Sequence, residues 1–81
     1  MPRHVSDAQR RAFALQAARR LISRGERPRY RLMAAQDGSW TVDGSLGVTV
    51  TAETWKAALT AARTAIAALL EVDPESFDLE A

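Results

Sequence analysis

The sequence predicts a single small α+β domain: a helix, an antiparallel β-meander, a second amphipathic helix and a short C-terminal strand. Three observations support this. The chain has 81 residues, enough for one domain. Two segments repeat apolar residues with the period of a helix, and the stretch between them alternates around a turn signal. The domain is predicted over 1–81, with a tail over 1–5, a basic helix over 6–25 and the remaining elements over 30–81.

The first helix is predicted from its ends and its apolar arc. Ser6 and Gln9 fit a capping box, and Asp7 suits the positive end of the helix dipole. Gly25 suits the left-handed position that ends a helix, and Pro28 follows it. Phe13 lies outside the main arc, so it packs under the sheet edge or helps to form an interface. The predicted docked face contains Ala14, Leu15, Ala17, Ala18, Leu21 and Ile22.

Three strands are predicted to follow as a meander. The first covers Tyr30–Ala35, and Asp37-Gly38 is the dipeptide that type I′ turns favour because both central residues need positive φ. The second strand is predicted over 39–43 and the third over 46–50, both rich in β-branched or aromatic residues. Their alternating apolar residues are Trp40, Val42, Leu46, Val48 and Val50.

The second helix is predicted to start with Thr51 as its cap and Glu53 in its first turn, and to end by Pro74. Alternation over 76–80 then predicts a short strand, with a disordered tail as the alternative. The predicted apolar face, with Trp55 in the core, contains Trp55, Ala58, Leu59, Ala62, Ala65, Ile66, Leu69 and Leu70. The opposite, wet face contains Lys56, Thr60, Arg63, Thr64 and Glu71.

Composition excludes several classes of protein. The chain has no cysteine, which excludes disulfides and fits a reducing cytoplasm. The N-terminal segment lacks the apolar core of a signal peptide, and no run approaches the roughly 18 apolar residues of a membrane span. We therefore expect a cytoplasmic protein without membrane contact. Its large apolar residues are few, which favours a homodimer that buries more surface.

Catalytic chemistry is not predicted. His4, the single histidine, lies in the predicted tail, where a catalytic group lacks rigid support. The acids that cluster over 71–80 are typical of a solvated face. The glycines do not match a nucleotide-binding spacing, and no nucleophile, base and orienting group converge. The sequence thus predicts no enzyme, no cofactor and no metal site.

Charge is divided along the chain. Residues 1–31 hold nine arginines against two acids, a net +7, whereas residues 32–81 hold two bases against eight acids, a net −6. The basic half can neutralise nucleic-acid phosphates. Alternatively, Arg10 and Arg11 pair with the acidic C-terminal segment of the same chain or of a dimer mate. The candidate contacts for a partner or a nucleic acid are Arg10, Arg11, Arg19, Arg20, Arg24 and Arg27.

Residues 30–81 resemble the HicB-like antitoxin family. The resemblance depends on Asp37-Gly38 followed by Trp40 and Val42, on Leu46-Gly47-Val48, on the helix pattern over 62–67 and on the ending over 70–78. It implies a β-β-β-α-β module that dimerises and binds a small basic messenger-cleaving toxin. The sequence departs from the family pattern in lacking its Pro-Gly turn and in carrying an Arg-rich N-terminal helix.

Two functions are therefore expected from different classes. The first is a non-catalytic binding module for a protein partner, such as a small basic toxin, acting as a homodimer with a free sheet edge for partner addition. The alternative is a small DNA- or RNA-binding regulator that uses the Arg-rich N-terminal helix.

Overall fold

The computed structural model describes residues 6–80, and its elements follow the predicted order. They are α1 (Asp7–Ser23), β1 (Arg29–Ala34), β2 (Ser39–Val42), β3 (Thr49–Thr51), α2 (Trp55–Leu70) and β4 (Asp78–Glu80). The α+β class and the helix-first layout are confirmed. The C-terminal segment forms a strand, so the alternative of a disordered tail is wrong for residues up to 80.

The four strands form one sheet in the order β3-β2-β1-β4. β1 pairs antiparallel with β2, and β2 pairs antiparallel with β3. β4 is parallel to β1, with Tyr30 opposite Leu79, because α2 returns the chain to the end of the sheet where β1 begins. The two edge strands, β3 and β4, are three residues long.

Both helices contribute to a core on one face of the sheet. Ala18 of α1 is buried in the same cluster as α2 and the inward residues of the strands, and α1 packs against α2. The largest of the fully buried side chains are Leu46, Ile66, Leu70 and Phe77. The ring of Phe77 meets that of Tyr30 edge to face at 6.1 Å, and burial raises the pKa of the Tyr30 hydroxyl.

The predicted ends of α1 are confirmed. Ser6 and Gln9 form the capping box, with the Gln9 N–H donating to Ser6 Oγ at 3.2 Å and the Ser6 N–H donating to Gln9 Oε1 at 3.1 Å. Gly25 has φ +82, and the Glu26 N–H donates to the Leu21 carbonyl at 2.9 Å, as in a Schellman motif. The docked face is narrower than expected, because Ala17 is exposed.

The first hairpin turn differs from the predicted type I′. Its loop has three residues, closed by the Ala35 N–H donating to the Ser39 carbonyl at 2.9 Å. Gly38 has φ +85, whereas Asp37 does not enter the left-handed region. Asp37 Oδ1 instead accepts from the Ser39 N–H at 3.1 Å and from the Ser39 hydroxyl at 2.6 Å. A three-residue hairpin loop needs one left-handed residue, not two.

The third strand begins at Thr49 rather than at Leu46. Gly44, Ser45 and Gly47 all have positive φ, at +105, +64 and +72, and these values break the extended backbone. The predicted alternation nevertheless describes burial correctly, because Leu46 is 0% exposed, Val48 is 7% exposed and Val50 is half-buried.

The second helix begins three residues later than expected. Its cap is Thr54, whose hydroxyl accepts from the Ala57 N–H at 3.2 Å, whereas Thr51 ends β3. Trp55 was predicted to be core and is 50% exposed. Since α2 starts at this residue, its side chain lies in the first turn, and the buried arc begins only one turn later at Ala58.

The residue that ends α2 has an unfavourable backbone conformation. Glu71 has φ +58 in a Schellman-type ending, with the Val72 N–H donating to the Ala67 carbonyl at 3.0 Å. Left-handed backbone disfavours residues with a Cβ. We expect Glu71→Gly to raise the free energy of unfolding in urea by about 0.5–1 kcal/mol, because relief of the left-handed backbone outweighs loss of the exposed ion pair between Glu71 and Arg19.

The matched control is Glu75→Gly, which removes an exposed acid from the same connection at a position without positive φ. It should gain nothing, because glycine there only adds freedom to the unfolded chain. Equal stability of wild type and Glu71→Gly would contradict the expected relief of backbone strain.

Candidate functional site

Two of the six candidate arginines donate hydrogen bonds to main-chain carbonyls of their own chain. Arg19 donates from Nε to the Leu70 carbonyl at 3.3 Å and from Nη2 to the Leu69 carbonyl at 3.4 Å. The same Nη2 lies 3.3 Å from Glu71 Oε2. These carbonyls belong to the last turn of α2, which lacks partners within the helix and carries partial negative charge. Arg19 therefore caps α2.

Arg27 fastens the segment that leads into β4. Its Nη2 donates to Asp78 Oδ1 at 2.8 Å and to the Phe77 carbonyl at 3.2 Å, and its Nη1 donates to the Glu75 carbonyl. The hydrogen bond with Asp78 raises the pKa of Arg27, and the same hydrogen bond lowers the pKa of Asp78. Arg27 is thus a structural residue rather than a free contact.

Arg63 completes this arrangement, and sequence reasoning placed it wrongly on the wet face of α2. It is half-buried, donates from Nη1 to the Pro74 carbonyl at 2.9 Å, and lies 5.6 Å from the ring centre of Phe77. We call Arg19, Arg27 and Arg63 the C-terminal clamp. The pattern offered no signal for Arg63, because its partners are backbone carbonyls of a loop.

Some arginines of the basic half of the chain pair with acids of the acidic half inside the fold. The ion pairs among residues 6–80 are Arg19–Glu71, Arg24–Glu26 and Arg27–Asp78. Pairing of Arg10 and Arg11 with the acidic C-terminal segment of the same chain is wrong within that range, and their pairing with a dimer mate stays a prediction. The reason is the path of α1, whose C-terminal half, not its N-terminal half, lies beside that segment.

Arg11 packs instead against the β2–β3 connection. A Cβ built on Gly47 would lie 3.3 Å from Arg11 Nε, so the guanidinium covers this backbone closely. An open cleft of about 500 Å³ lies between the start of α1 and this connection. Its lining residues are Asp7, Ala8, Arg10, Arg11, Ser45 and Gly47.

A second surface follows the outer edge of α1, and we call it the α1 stripe. Its residues recur at steps of three and four along the helix, so they share one side. They are Arg10, Phe13, Ala17, Arg20 and Arg24, all exposed. Phe13 is 65% exposed, so it does not pack under the sheet, and Arg24 Nε lies 3.1 Å from Glu26.

A third surface is the open face of the sheet, opposite the helices. Met33 is 46% exposed there, in one cross-strand row with Thr41 and Thr49. Basic residues of β1 lie beside acidic residues of β4, with Arg29 opposite Asp78 and Arg31 opposite Glu80. The open face therefore combines an apolar centre with both signs of charge.

The described residues contain neither a metal-binding cluster nor a membrane-spanning helix. Over residues 6–80, the structure brings together no group of three His, Cys, Asp or Glu side chains that could hold a metal ion. No helix in that part of the chain is long and apolar enough to cross a membrane. His4 and the predicted tail over 1–5 lie outside the described residues.

Comparisons of the chain with protein-family models, with curated proteins and with solved structures found no match. The resemblance to the HicB-like family therefore stays a prediction, and the surfaces described above are the basis for the function proposed below.

Proposed function

We propose that the chain is a non-catalytic, cytoplasmic binding module that docks a protein partner in the manner of a HicB-like antitoxin and acts as a homodimer. The observation that carries the proposal is the open face of the sheet. Helices cover the opposite face, so four strands present their outward side chains together, with Met33 46% exposed among them.

The chemistry of the open face suits a protein better than a nucleic acid. Methionine and arginine are enriched in protein interfaces, and this face has Met33 beside Arg31. Glu80 on β4 adds negative charge, which repels phosphates but complements a basic protein. A small basic toxin, the partner implied by the resemblance, fits this combination, with Glu80 as a contact for its cationic groups.

The test measures binding of the partner that wild-type protein captures from its native cells. Met33→Glu places a charge at the centre of the open face, and we expect it to weaken binding of that purified partner by about tenfold or more. Phe13→Glu is the matched control, because it adds the same charge at another exposed apolar residue. Equal losses in both variants, or none in Met33→Glu, would exclude the open face as the docking site.

A second candidate function is favoured by the α1 stripe. Arg10, Arg20 and Arg24 surround an exposed aromatic ring, Phe13. Arginines neutralise phosphates, and an exposed aromatic side chain stacks on unpaired bases. This combination favours single-stranded RNA or DNA over a duplex.

The nucleic-acid candidate is tested by titrating labelled single-stranded RNA and duplex DNA at about 50 and 200 mM salt. Wild type should bind at about 50 mM salt and lose this binding at about 200 mM. The double variant Arg10→Glu and Arg20→Glu should not bind at either salt concentration. Arg29→Glu with Arg31→Glu makes the same charge change on the open face and should retain most of the binding. Arg19 is left intact, since it caps α2. Equal binding by both double variants would reject the α1 stripe.

A further inference from the structure

The open cleft beside the start of α1 has a lining suited to a charged ligand. Arg10 and Arg11 both line it. Neither forms an ion pair with a carboxylate among residues 6–80, whose ion pairs all involve other arginines. Two guanidinium groups at one concave surface concentrate positive charge there. We therefore expect the cleft to attract an anion.

The β2–β3 connection holds the side chain of Arg11 in place. A Cβ built on Gly47 would lie 3.3 Å from Nε, 3.4 Å from Cζ and 3.5 Å from Cδ of Arg11. The arginine thus packs along the backbone at a residue that has no side chain, and Gly47 has φ +72, which favours glycine. A side chain that is already held loses less conformational entropy when a ligand binds. Arg11 is therefore positioned before a ligand arrives.

Ser45 adds a hydroxyl group to the same lining. Its backbone is left-handed, with φ +64, a conformation that is unfavourable for a residue with a Cβ. Residues that keep such a conformation cluster at ligand-binding and catalytic sites. Ser45 is exposed, so its hydroxyl can donate a hydrogen bond to a ligand in the cleft.

This set of donors fits a phosphate monoester better than a carboxylate. A phosphate monoester carries about −1.5 to −2 charges at pH 7 and has three strong acceptor oxygens. A carboxylate carries one charge on two oxygens, and a single arginine satisfies it through a bidentate pair. Two guanidinium groups and a hydroxyl exceed what a carboxylate needs, and they match the charge and the oxygens of a phosphate monoester.

The volume of the cleft and its acidic residue define the rest of the ligand. The volume is about 500 Å³, within the roughly 300–1,000 Å³ of small-molecule sites and too large for a phosphate ion alone. Asp7 is the acid among the lining residues. Its carboxylate accepts hydrogen bonds from hydroxyl groups and repels a second phosphate. These features indicate one phosphate on a body that carries hydroxyl groups.

We propose that the cleft binds a small organic monophosphate, such as a nucleoside monophosphate or a sugar phosphate. Arg10, Arg11 and Ser45 hold the phosphate, and Asp7 accepts from the hydroxyl groups. The cleft is separate from the open face of the sheet, so this site goes beyond the proposed docking of a protein and does not depend on it. The terminal phosphate of a nucleic-acid strand presents the same chemical group, and experiment distinguishes the two sources.

Binding is measured by titrating isotope-labelled protein with adenosine monophosphate and following the amide signals by NMR. The signals of Ser45 and Gly47 should shift and saturate, with a dissociation constant below about 1 mM. Adenosine, which lacks the phosphate, should bind about tenfold more weakly or less, because it forms no charge-assisted hydrogen bonds with the arginines. Equal binding of adenosine and its monophosphate, or a dissociation constant above about 1 mM for the monophosphate, would overturn the site.

Arg11→Met removes one guanidinium group and keeps an apolar stem. It should weaken binding of the monophosphate by about tenfold or more, because hydrogen bonds to a charged group are lost. Arg20→Met is the matched control, since it makes the same change on the outer side of α1, and it should bind as wild type does. Circular dichroism checks that both variants keep their helices. Equal losses in the two variants would assign binding to net charge and overturn the cleft as the site.

Asp7→Asn tests the ligand class without removing an arginine. Wild type should bind adenosine diphosphate more weakly than the monophosphate, because the Asp7 carboxylate repels the second phosphate. In Asp7→Asn this order should reverse, since the added negative charge then meets the guanidinium groups without that repulsion. The same order in both proteins would overturn the restriction to monophosphates.

A single-stranded oligonucleotide, with and without a terminal phosphate, separates the two sources of the group. The titrations are made at about 200 mM salt, where contacts of the α1 stripe with other phosphates are weak. We expect the free monophosphate to bind at least as tightly as the phosphorylated strand. A phosphorylated strand that binds about tenfold more tightly than both the free monophosphate and the strand without the phosphate would overturn the small organic ligand and assign the cleft to strand ends.

Discussion

Phe77→Ala should unfold much of the population, with a loss of about 3–5 kcal/mol in the free energy of unfolding. Phe77 is 0% exposed and contacts the ring of Tyr30 and the guanidinium of Arg63. A small domain has only about 5–15 kcal/mol of stability in total. Urea unfolding followed by circular dichroism measures the effect.

The matched control for this prediction is Phe13→Ala. It deletes the same side chain where 65% of it is exposed, so its effect should stay within about 0.5 kcal/mol. Phe77→Leu keeps most of the apolar volume, and it should remain folded and measurable if the alanine variant does not. Similar losses for Phe77→Ala and Phe13→Ala would contradict the burial that the structure assigns to Phe77.

Local signals predicted the elements well. The ends of α1 follow from Ser6, Gln9 and Gly25, because caps depend on residues within one turn. Inward residues of the strands followed from alternation, including Leu46, which is fully buried although it precedes β3. Helix caps and strand alternation depend on residues that are close in sequence, so both can be predicted from a single sequence.

Errors arose where several local solutions compete. Thr51 and Thr54 are both good caps, and the end of β3 decides between them by holding Thr51 in the sheet. That choice moved the start of α2 and left Trp55 exposed. The Asp37-Gly38 turn is a second example. The Asp37 carboxylate accepts hydrogen bonds from the N–H and the hydroxyl of Ser39, and a three-residue loop replaces the predicted two-residue turn.

The roles of the arginines could not be predicted, because they depend on contacts between distant parts of the chain. Arg19 and Arg27 were identified as candidate ligand contacts, yet they bind carbonyls and carboxylates about 50 residues away. Helix periodicity places Arg10 and Arg20 on the same side as Phe13. It does not show which arginines form contacts within the fold, and those contacts leave the α1 stripe as the surface proposed for nucleic acid.

The C-terminal clamp links the charge pattern to the fold. β4 has three residues and pairs with one neighbour, β1, so its own ladder is short. Arg27 holds the backbone just before the strand and the Asp78 carboxylate at its start. The basic first half of the chain thus helps to add the last strand to the sheet.

Arg27→Met should therefore release β4 while α1 and α2 stay formed. We expect faster amide hydrogen exchange at Leu79 and Glu80, because the opening of this strand becomes a local event. The variant should also lose part of the acid sensitivity of wild type. The pKa of Asp78 is lowered in the folded state by its hydrogen bond with Arg27, so its contribution to stability is present above the unfolded pKa and disappears as pH falls.

The pH window follows from that sign. Wild type should lose this contribution between about pH 5 and pH 2, whereas Arg27→Met has less of it to lose, so the two urea midpoints should converge in acid. Arg24→Met is the matched control: it breaks the exposed pair with Glu26 and should leave β4 exchange unchanged. Midpoints that stay equally far apart at pH 7 and pH 2 would show that Arg27 stabilises β4 without the Asp78 carboxylate, through the Glu75 and Phe77 carbonyls alone.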